Sequence, residues 1–139
     1  LSLIGKKTRL LDLAGGIGLD SLVALTPADA LVALTIAPYT KTTVEAVAFA
    51  GERGTRIIAL TDSRTSPIAR NASVTIIVPT ETPSFLHTMT PAFLVVECLA
   101  ALVAARRGQR TIDAIARAEE LLDRLGIYTN SQSARRRRS

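Results

Sequence analysis

The chain has 139 residues, of which 47% are hydrophobic and 4% aromatic, with one cysteine and a formal charge of +5. One domain with an aliphatic core fits that length, and a disulfide framework is excluded, which suits a reducing compartment and a cytoplasmic protein. The charge is no pointer to nucleic acid: Arg135 to Arg138 supply four of the 17 cations, and the rest balance at 13 against 12 anions.

Residues 1–5 are apolar and end on Gly5, the pattern of a helix finishing, so a preceding N-terminal part is expected to be missing from this chain. Residues 8–13 are the first of four short aliphatic runs that read as buried strands; the others are 31–36, 56–61 and 74–78. Apolar runs of this length without charge alternation suit parallel strands covered on both faces. Between the first two, residues 18–25 form a short helix stopped by Pro27. Residues 42–53 form an amphipathic helix with Val44, Val47, Ala48 and Gly51 inward and Glu45, Glu52 and Arg53 toward water. Thr42 and Glu45 have capping-box spacing, and Gly54 suits the position just past the end. Residues 66–71 read as one or two helical turns, with Ser66 as N-cap and Pro67 first.

Helices then take over. Residues 83–89 and 91–107 form a long helical region in which Pro91 forces a kink or a fresh start, with Thr90 capping. Cys98 lies in this run as a small core residue. A last helix, 111–125, carries Ile112, Ile115, Ala118, Leu122 and Leu125 as one stripe and ends at Gly126. The longest apolar run, 92–105, is 14 residues and contains Glu97, short of the roughly 20 needed to cross a bilayer. Strand–helix alternation with short connections means an α/β fold with a parallel sheet. One domain over residues 1–129 and a solvated basic tail over 130–139 are expected.

In an open parallel sheet, ligands sit beyond the carboxyl ends of the strands, and three such ends are polar here. The first is Thr35, Ile36, Ala37, Pro38, Tyr39 and Thr40, running into a helix whose N-terminal amides suit a phosphate; the N–H groups of residues 37–41 are expected to be free. At the second, Asp62 and Ser63 leave a strand and Ser66 and Pro67 start a turn, which turn chemistry explains. The third, residues 79–85, presents Glu81 and Ser84 between prolines, with His87 beyond. Glu81 could accept a sugar hydroxyl, act as a base or be a plain surface acid, and a Glu81–His87 pair could move protons. No Walker loop, nucleophile elbow or metal-ligand spacing is present, and the glycines at 15, 16 and 18 fit a dinucleotide fingerprint poorly. No cofactor and no metal are implied.

The loop Thr35-x-Ala37-Pro38-Tyr39-Thr40 resembles the Ser-x-Ser-Gly-x-Thr phosphate loop of SIS (sugar isomerase) domains. The aromatic before Thr40, the run Thr61-Asp62-Ser63 to Ser66-Pro67-Ile68-Ala69, and the segment Glu81-Thr82-Pro83-Ser84-Phe85 make residues 1–128 similar to the effector domain of RpiR/MurR-type bacterial transcription regulators. The resemblance implies a three-layer αβα sandwich with a five-stranded parallel sheet, here lacking its first strand–helix unit. It implies a homodimer or homotetramer that binds a phosphorylated sugar, touches DNA only through a helix-turn-helix domain absent from this chain, is not an enzyme and does not enter a membrane. The ligand contacts it implies are Thr35, Ala37 through its N–H, Tyr39, Thr40, Glu81 and Ser84. Ala37 and Pro38 depart from the family's Ser and Gly, which removes a hydroxyl and an N–H from the loop. An aldose–ketose sugar-phosphate isomerase, with Glu81 as base and His87 assisting, is the alternative. A strand left unpaired by the missing unit, 31–36 or 8–13, would favour association.

Overall fold

The computed structural model describes residues 7–12, 18–82 and 88–126. They divide between two compact units, one running from Arg9 to Cys98 and a second that begins at Leu99.

The first unit holds a parallel three-stranded sheet. Its strands are β1 (Ala30–Leu34), β2 (Arg56–Thr61) and β3 (Val74–Ile77), in the order β1-β2-β3. Leu31 lies opposite Ile57 and Leu34 opposite Leu60, while Ile58 lies opposite Val74 and Thr61 opposite Ile77. All three strands therefore deliver their carboxyl ends to one rim. Helix α1 (Leu19–Val23) precedes the sheet, and α2 (Lys41–Glu52) joins β1 to β2.

Burial follows the two-residue period of the strands. Ala33, Ile57 and Ala59 share a face and form a core with Val47 of α2 and Ile68, against which Leu31, Val44 and Ala72 pack. Leu60 on the opposite face is also fully buried. The central strand is thus the covered one. Val32 on β1 is 50% exposed and Val74 on β3 53% exposed, and β1 is an edge strand among the described residues.

Helix α2 buries Ala46, Val47 and Ala50 and keeps Glu45, Glu52 and Arg53 outside. It ends in a Schellman motif: the Gly54 N–H donates to Gly51 and the Thr55 N–H to Ala50, with Gly54 at φ +73°. A left-handed residue is required there, and only glycine adopts that conformation without strain. The turn before β1 is tied to the same helix end. Thr26 donates its N–H and hydroxyl to Asp29, and the Leu25 and Thr26 carbonyls accept from Arg53 and Thr55.

Several expectations are corrected. Residues 8–12 form no strand, and Leu10 is 91% exposed; Arg9 and Asp12 break the run too closely for a two-sided buried strand. The sheet has three strands among the described residues. Residues 66–72 form successive four-residue turns, with Ala69 N–H to Ser66 and Ala72 N–H to Ala69. Gly18 is explained by packing: a Cβ there would stand 2.7 Å from the Asp12 carbonyl oxygen.

Helix α3 (Thr90–Arg107) starts afresh at Thr90, one residue before Pro91, with the Phe93 N–H donating to Met89. Cys98 on it is exposed, where a core position was expected. In the second unit, Gly108 (φ +50°) separates α3 from α4 (Gln109–Arg124), and Gly126 follows that helix at φ +63°. The buried Thr111 ties the junction by donating its hydroxyl to the Ala104 carbonyl at 2.9 Å. No helix among the described residues is long and apolar enough to cross a membrane.

Candidate functional site

The parallel register brings residues 35–40, 61–66 and 78–81 to one rim, with β2 between the other two strands. Strands lie about 4.8 Å apart, so the outer two carboxyl ends are separated by about 10 Å across the rim.

Thr35 leaves β1 with its N–H bonded to the Leu60 carbonyl at 3.2 Å, and its side chain is buried. Its hydroxyl accepts the Thr40 N–H at 3.1 Å. Ala37 points its N–H inward to Asp62 Oδ2 at 3.2 Å, and the Ala37–Pro38 peptide is cis. The expectation that all amides of residues 37–41 stand free is therefore corrected: two are taken by groups of the protein.

The helix also starts two residues earlier than the capping box required. Thr40 is the N-cap, and α2 begins at Lys41. Thr42 then lies inside the first turn, and Glu45 pairs with Lys41 at 3.6 Å on an exposed face. An exposed pair of that kind contributes little. The amides of Lys41, Thr42 and Thr43 precede the first available intrahelical acceptor, Thr40 O, which takes the Val44 N–H at 3.1 Å. The Thr40 hydroxyl makes no capping bond, and its residue is exposed. Unclaimed amides at the positive end of a three-turn helix, with a free hydroxyl beside them, can hold an anion.

Asp62 is the residue that sequence reasoning left as a turn former. It follows a buried strand in parallel register with β1, so its side chain comes alongside residues 36–37; that register is the signal that could have found it. Its Oδ1 accepts the hydroxyl of the fully buried Thr61 at 3.2 Å. Desolvation raises the Asp62 carboxyl, but donors from Ala37 N–H, its own N–H, Thr61 and Tyr39 outweigh it and hold the pKa below the ordinary carboxylate value. Desolvation holds the half-buried Tyr39 phenol above its ordinary range; the neighbouring carboxylate adds to the rise, and the Ser66 hydroxyl offsets part of it. Ser66 Oγ is fully buried with no partner at hydrogen-bonding distance, so its influence on Tyr39 acts over a longer range. It does not cap the turn as expected.

Glu81 lies beyond β3 and is exposed. Ser84 and His87 fall outside the described residues, so the Glu81–His87 pairing finds no geometry here. Among the described residues, no three His, Cys, Asp or Glu side chains gather to hold a metal ion.

The family model for the SIS domain matches residues 1–102. Among solved structures, the sugar isomerase domain of the RpiR transcription factor from Sphaerobacter thermophilus is similar, with 29% identity and a TM-score of 0.78 over 86% of this chain and 66% of that one. The Vibrio vulnificus NanR protein complexed with ManNAc-6P shares the fold, with a TM-score of 0.75 at 16% identity over 93% of this chain and 49% of that one. The chain thus spans about two thirds of the first structure's length and about half of the second's. No curated protein matches the sequence.

Proposed function

The chain belongs to the SIS domain family and is RpiR-like, and on that premise we propose that it is the effector-sensing domain of a transcription regulator. It binds a phosphorylated sugar, and occupancy alters the DNA grip of a helix-turn-helix domain elsewhere in the parent protein.

The observation that carries this reading is the start of α2. The unclaimed amides of Lys41, Thr42 and Thr43 and the uncommitted Thr40 hydroxyl face the ligand-binding side of a parallel sheet. The phosphate sits there. Thr35, which spends a lone pair on the Thr40 amide, keeps its own proton to donate. Tyr39 flanks the anion, and Glu81 and Ser84 receive sugar hydroxyls across a rim whose width suits a hexose phosphate. Ala37 would join only if Asp62 released its N–H.

A role in binding without turnover is supported by two features. One similar structure is the sugar isomerase domain of a transcription factor. The loop also lacks a hydroxyl at Ala37 and an N–H at Pro38, and a phosphate grip weakened in this way suits sensing better than turnover. NanR's complex with ManNAc-6P supports the ligand class.

A thermal-shift panel tests the proposal. It would include ManNAc-6P, other hexose and pentose phosphates, and the matching unphosphorylated sugars. Stabilisation by at least one phosphosugar and by none of the free sugars is expected. A flat response across the panel, or equal responses with and without the phosphate, would overturn the reading.

A further inference from the structure

Two hydrogen bonds hold the ends of the loop between β1 and α2. At one end the Thr40 N–H hangs from Thr35 Oγ1 at 3.1 Å; at the other the Ala37 N–H hangs from Asp62 Oδ2 at 3.2 Å. Pro38, between them, has no N–H. The Asp62 carboxylate is in turn anchored on Thr61, whose carbonyl takes the Val78 N–H at 2.9 Å. Asp62 therefore ties the loop to the rigid centre of the sheet. An external anion at Ala37 would also have to share the amide with a carboxylate at contact distance, which like charges resist in a partly desolvated place.

We propose that Asp62 is the positioning residue of this site: its carboxylate occupies the Ala37 amide as a built-in anion, sets the shape of the loop, and leaves an incoming phosphate to the amides of Lys41, Thr42 and Thr43. The ligand half of this inference rests on the effector-binding reading; the loop half does not.

Two variants of the full chain separate acceptor from charge. Asp62→Asn keeps an oxygen for Ala37 and offers an N–H to the Thr61 oxygen, but loses the charge. Asp62→Ala loses both. Without ligand, amide exchange at Ala37 is expected to quicken about tenfold or more in D62A and to stay near wild type in D62N. The Tyr39 phenol is expected to titrate lower in both variants, a shift that a purely structural role for Asp62 would not produce. With inorganic phosphate as the calorimetric probe, D62N is expected to bind about threefold or more tighter than wild type, and D62A about tenfold weaker than D62N.

Unchanged Ala37 exchange in D62A would overturn the positioning role. Weaker phosphate binding by D62N than by wild type would overturn the exclusion by charge. Should D62A fail to fold, the Tyr39 titration and phosphate affinity of D62N decide in the same senses. If no form binds phosphate or any phosphosugar while the ligand-free results come out as expected, the effector reading and the ligand half fall, and the loop role stands.

Discussion

At Thr35 a buried hydroxyl accepts the amide that opens α2. Valine there would keep the β-branched shape, suit the strand end and leave the Thr40 N–H unpaired. Thr35→Val is expected to cost about 1–2 kcal/mol, read from urea unfolding, and to weaken phosphosugar binding. Ser66 shows the opposite case. Its hydroxyl is buried and finds no partner at bonding distance, so Ser66→Ala is expected to leave stability unchanged or raise it by up to about 1 kcal/mol. A loss beyond about 1 kcal/mol would mean the hydroxyl has a partner. Asp62 titrates below the ordinary carboxylate value because its donors outweigh desolvation. A depressed native pKa stabilises the fold above the unfolded value of about 3.9 and loses that contribution as pH falls through the native one. The stability advantage of wild type over D62N at pH 7 is therefore expected to shrink on acidification to pH 3, with Tyr39 remaining protonated throughout. A constant difference would contradict the assignment. Thr35 and Thr40 were legible, as the two ends of the loop between β1 and α2, from strand–loop–helix order. Asp62 was not, because its role is a contact between residues 25 apart in sequence, and turn propensity explains an aspartate after a strand equally well.

Among the elements, β2 and α2 were readable because local and tertiary signals agree. The run 56–61 is apolar and β-branched at the centre of a sheet, and α2 carries an inward stripe and a glycine stop. Gly54 at φ +73° makes that stop testable. Gly54→Ala is expected to cost about 1–2 kcal/mol, measured by urea unfolding, and a neutral effect would contradict the left-handed C-terminal motif. Ile57→Ala in the core beneath α2 is expected to cost more, about 2–5 kcal/mol. Where the signals diverge, the reading failed. The Thr42–Glu45 spacing fits a capping box, but the Thr35–Thr40 bond draws the chain into a helix at Lys41, and Thr42 falls within it. Residues 8–12 carry Arg9 and Asp12 within a short apolar run, and they form no strand. Ser66-Pro67 starts a turn that the packing of Ile68 into the core holds short of a helix.

For the molecule as a whole, apolar surface stands out where strands and helices meet solvent. Val32 lies on the edge strand β1, and Phe93 and Leu94 on α3 are 63% and 58% exposed. Edges and faces of this kind favour association, so a dimer or larger assembly is expected by sedimentation at tens of micromolar; a monomer there would contradict it. On the proposed reading, one helix start on the rim would hold the phosphate of a sugar. Amide chemical-shift mapping of the full chain with ManNAc-6P and the other phosphosugars of the panel tests it most directly. The expected result is saturable shifts led by Lys41, Thr42 and Thr43, extending toward Glu81 and absent with the unphosphorylated sugars. Shifts centred elsewhere, or none at the opening amides of α2 with any phosphosugar, would contradict it.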